Sequence, residues 1–454
     1  MGSEAVVAPL TELNVKIDEP EYVKPVEPCE NTSPFFLTNA DQMLAFTVET
    51  MYFYAANPEK PSDTVADTLK MALSKILVHY DFLAGRVRLN EQLKRMEIDR
   101  NYAGAQFATA SCDRTLAELG DVSVPNALFR KFVPQAHNAT TISDIPLMMV
   151  QVTTFKCGGH AIGFGMSHLV WDGHGVVDFL FNLTSLAQGG PLVSEPKPNR
   201  DMFKARDPPT PVFDHPEYLK LDDLGHVPSL GGPFTTPEAA ESEFEGIAPS
   251  PKHITQVFPF SAKDLATLKM RAMAEGVLKK VSTFEALAGH VWQARTKAID
   301  ALPNDIAQLL YAVDVRDRLD PPLPKGFVGN ALYSACARAT CEEVRNGPLS
   351  FCVQEIQKAN QRITNDYIRS GIDWWEVYRG VPAVTSGIFI TSWQKMPFYS
   401  MDFGWGKPVF AGPAVHPMVE FVIFLPSRHQ NGSLDVVLGL QPDVMTRFQE
   451  HVRV

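Results

Sequence analysis

The chain has 454 residues, and its 41 basic and 52 acidic side chains give a formal net charge of −11. Apolar residues make up 45% of the chain and charged residues 20%, which is typical of a globular protein with a sizeable core and excludes disorder as the main state. An acidic balance without a cluster of Lys and Arg argues against nucleic acid as a partner, although it leaves room for a local basic patch that binds one phosphorylated ligand.

Length, cysteines and the N-terminal segment indicate the size class and compartment. At about 150 residues per domain, two or three domains are expected. The six cysteines are scattered without a C-x-x-C pair, as is typical of reduced, mostly buried thiols in a cytosolic protein. Residues 1–15 lack the basic and apolar regions of a signal peptide, and no apolar run approaches the ~18 residues of a membrane span. We therefore expect a soluble, cytoplasmic protein.

The N-terminal part of the chain alternates between strand and helix periodicity. Short β-branched and aromatic or otherwise apolar runs predict strands at residues 44–54, 85–89, 146–152 and 160–167. Apolar side chains at three- and four-residue steps predict helices at residues 63–80 and 176–188. Gly189 and Gly190 are typical of the end of the second helix. Residues 191–216, rich in Pro, Lys, Arg and Asp and without periodicity, predict a linker.

The same mixture resumes after the linker. Helices are predicted at residues 261–275, 282–300 and 348–370, and strands at residues 308–315, 386–393 and 419–424. Ser282 and Thr283 are capping candidates for the second of these helices. Two halves of comparable size, 1–190 and 217–454, indicate two α+β domains with a ligand site at their interface.

The segment from Gly165 to Gly175 combines small and polar residues at the end of an apolar strand. It contains His168 and Asp172 at H-x-x-x-D spacing, and a second copy of the pattern at His174 and Asp178. Because a strand end presents its side chain to a cleft, His168 is favoured as a general base. The second pair is typical of an exposed i,i+4 pair on a helix. A metal site is disfavoured because no further ligand cluster supports it.

A second motif, Asp402-Phe403-Gly404-Trp405-Gly406, lies 230 residues further on. A glycine on each side of the tryptophan implies a tight backbone around a packed ring. On its own, the motif predicts a structural turn.

Together, H-x-x-x-D-G at 168–173 and D-F-G-W-G at 402–406 resemble the motifs of the plant BAHD acyl-CoA-dependent acyltransferases. The resemblance extends over the whole chain and includes L-A-G-R at 83–86, S-T-F-E-A-L-A at 282–288, P-P-L-P-K-G-F-V-G-N at 321–330 and T-S-W at 391–393. It implies an α+β fold of two chloramphenicol-acetyltransferase-like domains, each a mixed sheet with flanking helices, and an interdomain channel. Residues 191–216 match the family's crossover, and a segment near 380–400 is expected to join the N-terminal sheet. A monomer without a cofactor is implied, with acyl-CoA as co-substrate.

The resemblance also implies roles for individual residues. His168 would deprotonate the acceptor as it attacks the thioester in one ternary complex, without an acyl-enzyme. Asp172 and Gly173 would support the catalytic loop through an arginine. Thr391 and Trp393 would stabilise the substrate or intermediate, although Trp393 is equally compatible with core packing.

Two further groups of residues are assigned in the same way. Lys279, Lys280, Ser282 and Thr283 would bind CoA, although a lysine pair at a helix end is equally compatible with a solvated surface. The second motif would be structural through Asp402, Gly404, Trp405 and Gly406, with Arg316 or Arg318 as the partner of Asp402.

The expected reaction transfers a hydroxycinnamoyl group (feruloyl, coumaroyl or caffeoyl) from its CoA thioester to an alcohol, which is a hydroxy fatty acid, a fatty alcohol or a phenolic alcohol. Residues 152–159 and 281–297 look most like the branch that contains ω-hydroxy fatty acid and fatty alcohol hydroxycinnamoyltransferases. Trp171 departs from that branch and is expected to narrow the acceptor mouth, which argues against a long-chain acceptor. The alternatives are an N-acyltransferase that makes hydroxycinnamoyl amides and a non-catalytic family member that acts as a partner protein.

Overall fold

Two large mixed β-sheets with flanking helices form the two halves of the molecule. The computed structural model describes residues 10–124, 126–220, 253–383, 387–414, 420–427 and 432–454. No helix in these ranges is long and apolar enough to span a lipid bilayer.

The N-terminal half contributes most of the first sheet and the helices that pack on it. Its strands are β1 (Val15–Ile17), β2 (Glu21–Val23), β3 (Phe35–Phe36), β4 (Thr47–Tyr54), β5 (Arg86–Asn90), β6 (Arg95–Asp99), β7 (Ala105–Cys112), β8 (Met148–Phe155) and β9 (His160–Ser167). Its helices are α1 (Asn39–Gln42), α2 (Val65–His79) and α3 (Gly173–Ala187). The sequence-predicted strands and helices of this half correspond to β4, β5, β8, β9, α2 and α3.

The C-terminal half forms the whole of the second sheet and also contributes three strands to other sheets. Its strands are β10 (Tyr218–Lys220), β11 (Ile254–Phe260), β12 (Ile306–Asp314), β13 (Leu332–Thr340), β14 (Gly380–Pro382), β15 (Gly387–Ser392), β16 (Phe410–Pro413), β17 (Phe421–Pro426) and β18 (Leu434–Leu440). Its helices are α4 (Ala262–Met273), α5 (Thr283–Ala298), α6 (Cys341–Asn346), α7 (Leu349–Arg362), α8 (Asn365–Tyr378) and α9 (Pro442–His451).

The sheets differ in strand order but both are mixed. The first runs β1-β7-β8-β9-β4-β16, with β2 also on β7, and the second runs β11-β18-β17-β15-β12-β13. In the first sheet β7 and β8 are parallel, and in the second β15 is parallel to both neighbours. Smaller sheets pair β3, β6 and β5, and β10 with β14. The register of β4 on β9 places Thr47 opposite Ser167, so the residue after β9 leaves the sheet beside the start of β4.

The predicted helix at 348–370 is two helices. The apolar pattern continues through Ile363, which is buried, but the chain turns there and Thr364 caps a new helix by accepting a hydrogen bond from the Tyr367 N–H at 3.3 Å. The cap gives the first orphan N–H groups of α8 a partner, which a continuous helix would not need.

The strand that crosses from the C-terminal half to the first sheet is β16, so the prediction for residues 380–400 was wrong. Gly387–Ser392 instead lies inside the second sheet, where Ile388 and Ile390 are fully buried. Phe410–Pro413 pairs with β4, and the Phe410 ring packs 6.2 Å from that of Phe53.

The crossover segment, residues 191–216, is held against α8. Asp373 accepts hydrogen bonds from the Arg206 N–H, the Arg206 side chain and the Thr210 N–H. One turn earlier, the Ser370 hydroxyl accepts from the Val212 and Phe213 N–H groups at 2.9 and 3.1 Å. The segment is therefore fixed to the C-terminal half along its second part.

Candidate active site

Strand β9 delivers His168 to the junction of the two halves. Every residue of the strand is buried, and His168 follows it directly, partly exposed. The His168 N–H donates to the Phe46 carbonyl at 2.8 Å, and its carbonyl accepts from Asn330 Nδ2, in the C-terminal half, at 2.7 Å. The backbone of this residue is thus bonded to both halves.

The imidazole of His168 lies in surroundings that favour its neutral form. The Phe46 ring packs 5.1 Å from it, and Nδ1 has no hydrogen-bond partner within the described residues. Burial lowers the pKa of His168 below its usual value, and this effect outweighs the carboxylates of Asp172 and Asp41, which raise the pKa. A neutral imidazole at physiological pH has a free lone pair and can act as a proton acceptor.

Asp172 does not touch the imidazole but holds the loop that follows it. Both of its oxygens accept from the Arg316 guanidinium, each at 2.8 Å. Its carboxylate also caps α3 through the Gly175 N–H at 3.1 Å and accepts from the Ala331 N–H at 2.9 Å. Burial alone would raise the pKa of this carboxyl, but Arg316 and the two N–H groups hold the pKa of Asp172 below its usual range.

Gly173 lies against Met396, a residue of the C-terminal half. A Cβ at this position would overlap the methyl group of Met396. Met396 and Trp393 both pack against the core of the N-terminal half, and the Trp393 ring lies 5.6 Å from that of Phe398. The absence of a side chain at Gly173 therefore lets the segment after β15 pack on the loop that follows His168.

Asn330 is a residue of this site that the sequence argument did not assign. Its Nδ2 donates to the His168 carbonyl and, at 2.7 Å, to Asp41 Oδ1. The residue ends the stretch P-P-L-P-K-G-F-V-G-N, a part of the family resemblance to which the sequence alone assigns no role. A polar residue directly after a glycine at the end of that stretch was the available signal.

Thr391 and Trp393 lie at the end of β15, at the junction. Thr391 is partly buried and pairs with Ile423 of β17, and the Trp393 N–H donates to the Phe424 carbonyl at 2.8 Å. Within the described residues, neither side chain forms a hydrogen bond with His168. Their predicted part in the reaction stays a prediction.

The residues predicted to bind CoA surround the N-terminus of α5. Ser282 and Glu285 form a capping box in which Glu285 Oε2 accepts from the Ser282 N–H at 2.7 Å. Lys279 and Lys280 are exposed just before it, and Thr283 is partly buried. A cavity of about 180 Å³ opens beside this helix end and is lined by Ser282, Phe284, Glu285, Tyr311 and Ser392 among others.

The D-F-G-W-G motif closes a turn at the opposite end of β9 from His168. Asp402 Oδ1 accepts from the N–H groups of Gly404 and Gly406 at 2.7 and 3.0 Å, and both glycines have positive φ, +111° and +102°. Trp405 packs edge-on against His160, the first residue of β9, at 6.1 Å. Eight residues of extended chain separate this contact from His168, a distance of roughly 25 Å. The contacts of the motif therefore stabilise a turn that lies far from His168.

Two expectations about side chains around the loop were wrong. Asp402 pairs with neither of the two arginines expected as its partner: Arg316 binds Asp172 and Asp314, and Arg318 binds Asn360. Trp171 does not border a channel mouth, because its ring is 1% exposed and packs against Tyr80 and Phe179 in the core. The expected i,i+4 pair is present on α3: His174 is exposed and partly offsets the burial that raises the pKa of Asp178, and His174 also lies 3.5 Å from Asp314.

The chain is similar to known transferases over nearly its whole length. A family model described as the transferase family matches residues 13–454. The omega-hydroxypalmitate O-feruloyl transferase of Arabidopsis thaliana is 34% identical over 96% of this chain and 92% of its own. The fatty alcohol:caffeoyl-CoA acyltransferase of the same plant is 34% identical over 96% and 98%.

The solved structures give the fold. Vinorine synthase superposes over 96% of both chains with a TM-score of 0.73 at 20% sequence identity. This likeness confirms the predicted chloramphenicol-acetyltransferase-like architecture of two mixed sheets with flanking helices. With the family model matching nearly the whole chain and relatives above 30% identity across it, the protein belongs to the BAHD transferase family of acyltransferases.

Proposed function

We propose that the protein transfers a hydroxycinnamoyl group from its CoA thioester to an alcohol, with His168 as the general base. One observation supports this most strongly: the neutral imidazole of His168 lies at the junction of the halves, and its backbone is bonded to both of them. The relatives support the donor class, because both of those named above carry a hydroxycinnamoyl donor in their names.

The chemistry follows from a thioester and an alcohol meeting beside this imidazole. His168 takes the alcohol proton as the alcohol oxygen forms a bond to the thioester carbonyl carbon, which leaves a negatively charged tetrahedral oxygen. The C–S bond then breaks, and the departing CoA sulfur takes the proton from the imidazolium. Protons and charge balance without an acyl-enzyme. Thr391 and Trp393 are proposed to stabilise the substrate or the tetrahedral oxygen.

The donor is proposed to bind along the C-terminal half. Lys279 and Lys280 supply positive charge beside the N-terminus of α5, where Ser282 and Thr283 lie, and a helix N-terminus is favourable for phosphate. The cavity beside Ser282 extends to Ser392, which directly follows Thr391 and precedes Trp393. This path leads from the basic surface toward the junction and suits the pantetheine arm of CoA.

A fatty alcohol or hydroxy fatty acid is the proposed acceptor. The objection from Trp171 is removed, since its indole is core packing. We further propose a cytoplasmic monomer that uses no cofactor and binds no nucleic acid. All six cysteines are free thiols, which supports a reducing compartment.

The test is an acceptor panel with purified protein and feruloyl-CoA. Hexadecanol, 16-hydroxyhexadecanoic acid, shikimate and putrescine are offered separately, and CoA release and the product mass are measured. We expect ester formation with the long-chain alcohols. An amide with putrescine as the main product would make the protein an N-acyltransferase. Binding of CoA without turnover of any acceptor would favour the non-catalytic partner protein and overturn the proposal.

A further inference from the structure

The crossover segment supplies a fully buried arginine, Arg200, to the underside of the catalytic loop. Its side chain is 2% exposed, and Nη1 donates to Asp41 Oδ2 at 2.6 Å. Nη2 donates to the carbonyl of Val170, two residues after His168. The guanidinium also lies over the Phe35 ring, 4.5 Å from its centroid.

Asp41 connects Arg200 to a second carbonyl of the same loop. Its other oxygen accepts from Asn330 Nδ2, and that same Nδ2 donates to the His168 carbonyl. Arg200 therefore acts on the loop directly at Val170 and indirectly, through Asp41 and Asn330, at His168. Asp172 and Arg316 hold the loop at its other end.

We propose that Arg200 is a positioning residue that fixes the turn from His168 to Val170 and so aims the imidazole at the acceptor; this rests on the proposed role of His168. A buried ion pair contributes little to stability compared with a well-packed apolar pair. The planar guanidinium donates hydrogen bonds to two acceptors in defined directions at once, which an apolar side chain cannot do. Lysine has a single nitrogen, so it cannot donate to both the Asp41 carboxylate and the Val170 carbonyl with the same geometry.

The same crossover offers a matched comparison in Arg206. This arginine also pairs with a buried aspartate, Asp373, at 2.5 Å. Its hydrogen bonds in the described chain go to Asp373 and to the Thr210 carbonyl, and none reaches the loop between His168 and Asp172. The two arginines thus share a segment and a type of partner and differ in contact with the loop.

The test compares Arg200→Lys with Arg206→Lys, which both keep the charge opposite their aspartates. For Arg200→Lys we expect kcat at least ~10-fold lower with KM for both substrates within ~2-fold, because a misaimed base slows the chemical step. For Arg206→Lys we expect kcat within ~2-fold of wild type. Hydrogen exchange of residues 166–173 should accelerate only in Arg200→Lys.

Two results would count against a positioning role for Arg200. Equal loss of kcat in both variants, or unchanged kcat and exchange in Arg200→Lys, would overturn the positioning role. Wild-type inactivity toward every acceptor would instead count against the proposed function, and the exchange comparison would still decide whether Arg200 holds the loop.

Discussion

Asp172 and Arg316 join the two halves of the chain by a two-pronged ion pair, with each carboxylate oxygen 2.8 Å from a guanidinium nitrogen. This pairing turns the aspartate away from the imidazole. The second polar residue of the H-x-x-x-D motif therefore builds the loop that presents His168, and it does not orient the imidazole as in a Ser-His-Asp triad.

Replacing Asp172 with Asn should destabilise the protein strongly. The change leaves Arg316 without its buried partner, and breaking such a pair typically costs about 3–5 kcal/mol in the free energy of unfolding. Urea unfolding of wild type and variant measures this loss in the free energy of unfolding. Asp314→Asn is the matched control, because that half-exposed carboxylate binds the same arginine at 3.2 Å and its loss should cost at most ~1 kcal/mol. Equal losses in the two variants would contradict this account.

The same pair predicts a dependence of stability on acid. Since the pKa of Asp172 is lower in the folded state than in the unfolded state, its contribution is present above the unfolded value of about 3.9 and is lost as pH falls through the folded pKa. The decline in unfolding free energy below pH 4 should be smaller in Asp172→Asn than in wild type. Parallel curves would be evidence against a charged, paired Asp172.

The activity should depend on pH through His168. Burial lowers the pKa of this imidazole, so the base is neutral and competent at pH 7, and protonation removes it only at pH values below an ordinary histidine's ~6.5. We expect kcat/KM to be flat from pH 7 to 8 and to fall with a midpoint below pH 6.5. A midpoint above pH 7 would show that this imidazole is not in the surroundings described.

His160, at the far end of β9, should make the fold sensitive to mild acid. It is 1% exposed, neither ring nitrogen has a partner in the described structure, and Tyr54 stacks on it at 4.8 Å. Burial lowers the pKa of His160 to about 4. As pH falls below about 6.5 the unfolded state takes up the proton first, so stability is lost progressively down to pH 4.

Replacing His160 with Phe should remove that sensitivity while keeping the stacked ring. Between pH 7 and 4.5, wild type should lose about 2–3 kcal/mol more than His160→Phe, as measured by urea unfolding. The exposed His174 provides the control, since His174→Ala should leave the acid profile of wild type unchanged. An acid profile of His160→Phe that matches wild type would rule out this cause.

Gly173 and Met396 should behave as a coupled pair. Gly173→Ala forces the Met396 methyl to move, and overpacking of this kind typically costs about 1–3 kcal/mol. The melting temperature and kcat should fall together, because the displaced segment lies on the loop that carries the proposed base. Combining Gly173→Ala with Met396→Ala should recover part of both losses, whereas simple addition of the single effects would contradict the contact.

Contiguous motifs were predictable from the sequence, and contacts between distant segments were not. The strand, the glycine-bounded turn and His168 lie within a few residues, so periodicity and spacing were enough to find them. Arg200, Asp41 and Asn330 come from separate parts of the chain, and each looks like an ordinary polar surface residue until the fold buries it. Their contacts arise only after both halves have packed.

The errors have similar physical causes. β16 is a four-residue strand, Phe410–Pro413, too short for a period to be recognised, and its partner β4 lies far away in sequence. Trp171 lies between His168 and Asp172, and this neighbourhood favoured a position at the mouth of the channel. The fold instead packs the indole against Tyr80 and Phe179. A local pattern does not report which face the fold will cover.

The central claim is that His168 is the general base, and turnover of His168→Ala tests it most directly. With feruloyl-CoA and a saturating long-chain alcohol, CoA release should fall by ~10²–10⁴-fold in His168→Ala at an unchanged melting temperature. In His174→Ala, the second histidine in H-x-x-x-D spacing, it should stay within ~2-fold of wild type, since this side chain is largely exposed. Turnover by a folded His168→Ala variant at a rate close to wild type would contradict the account.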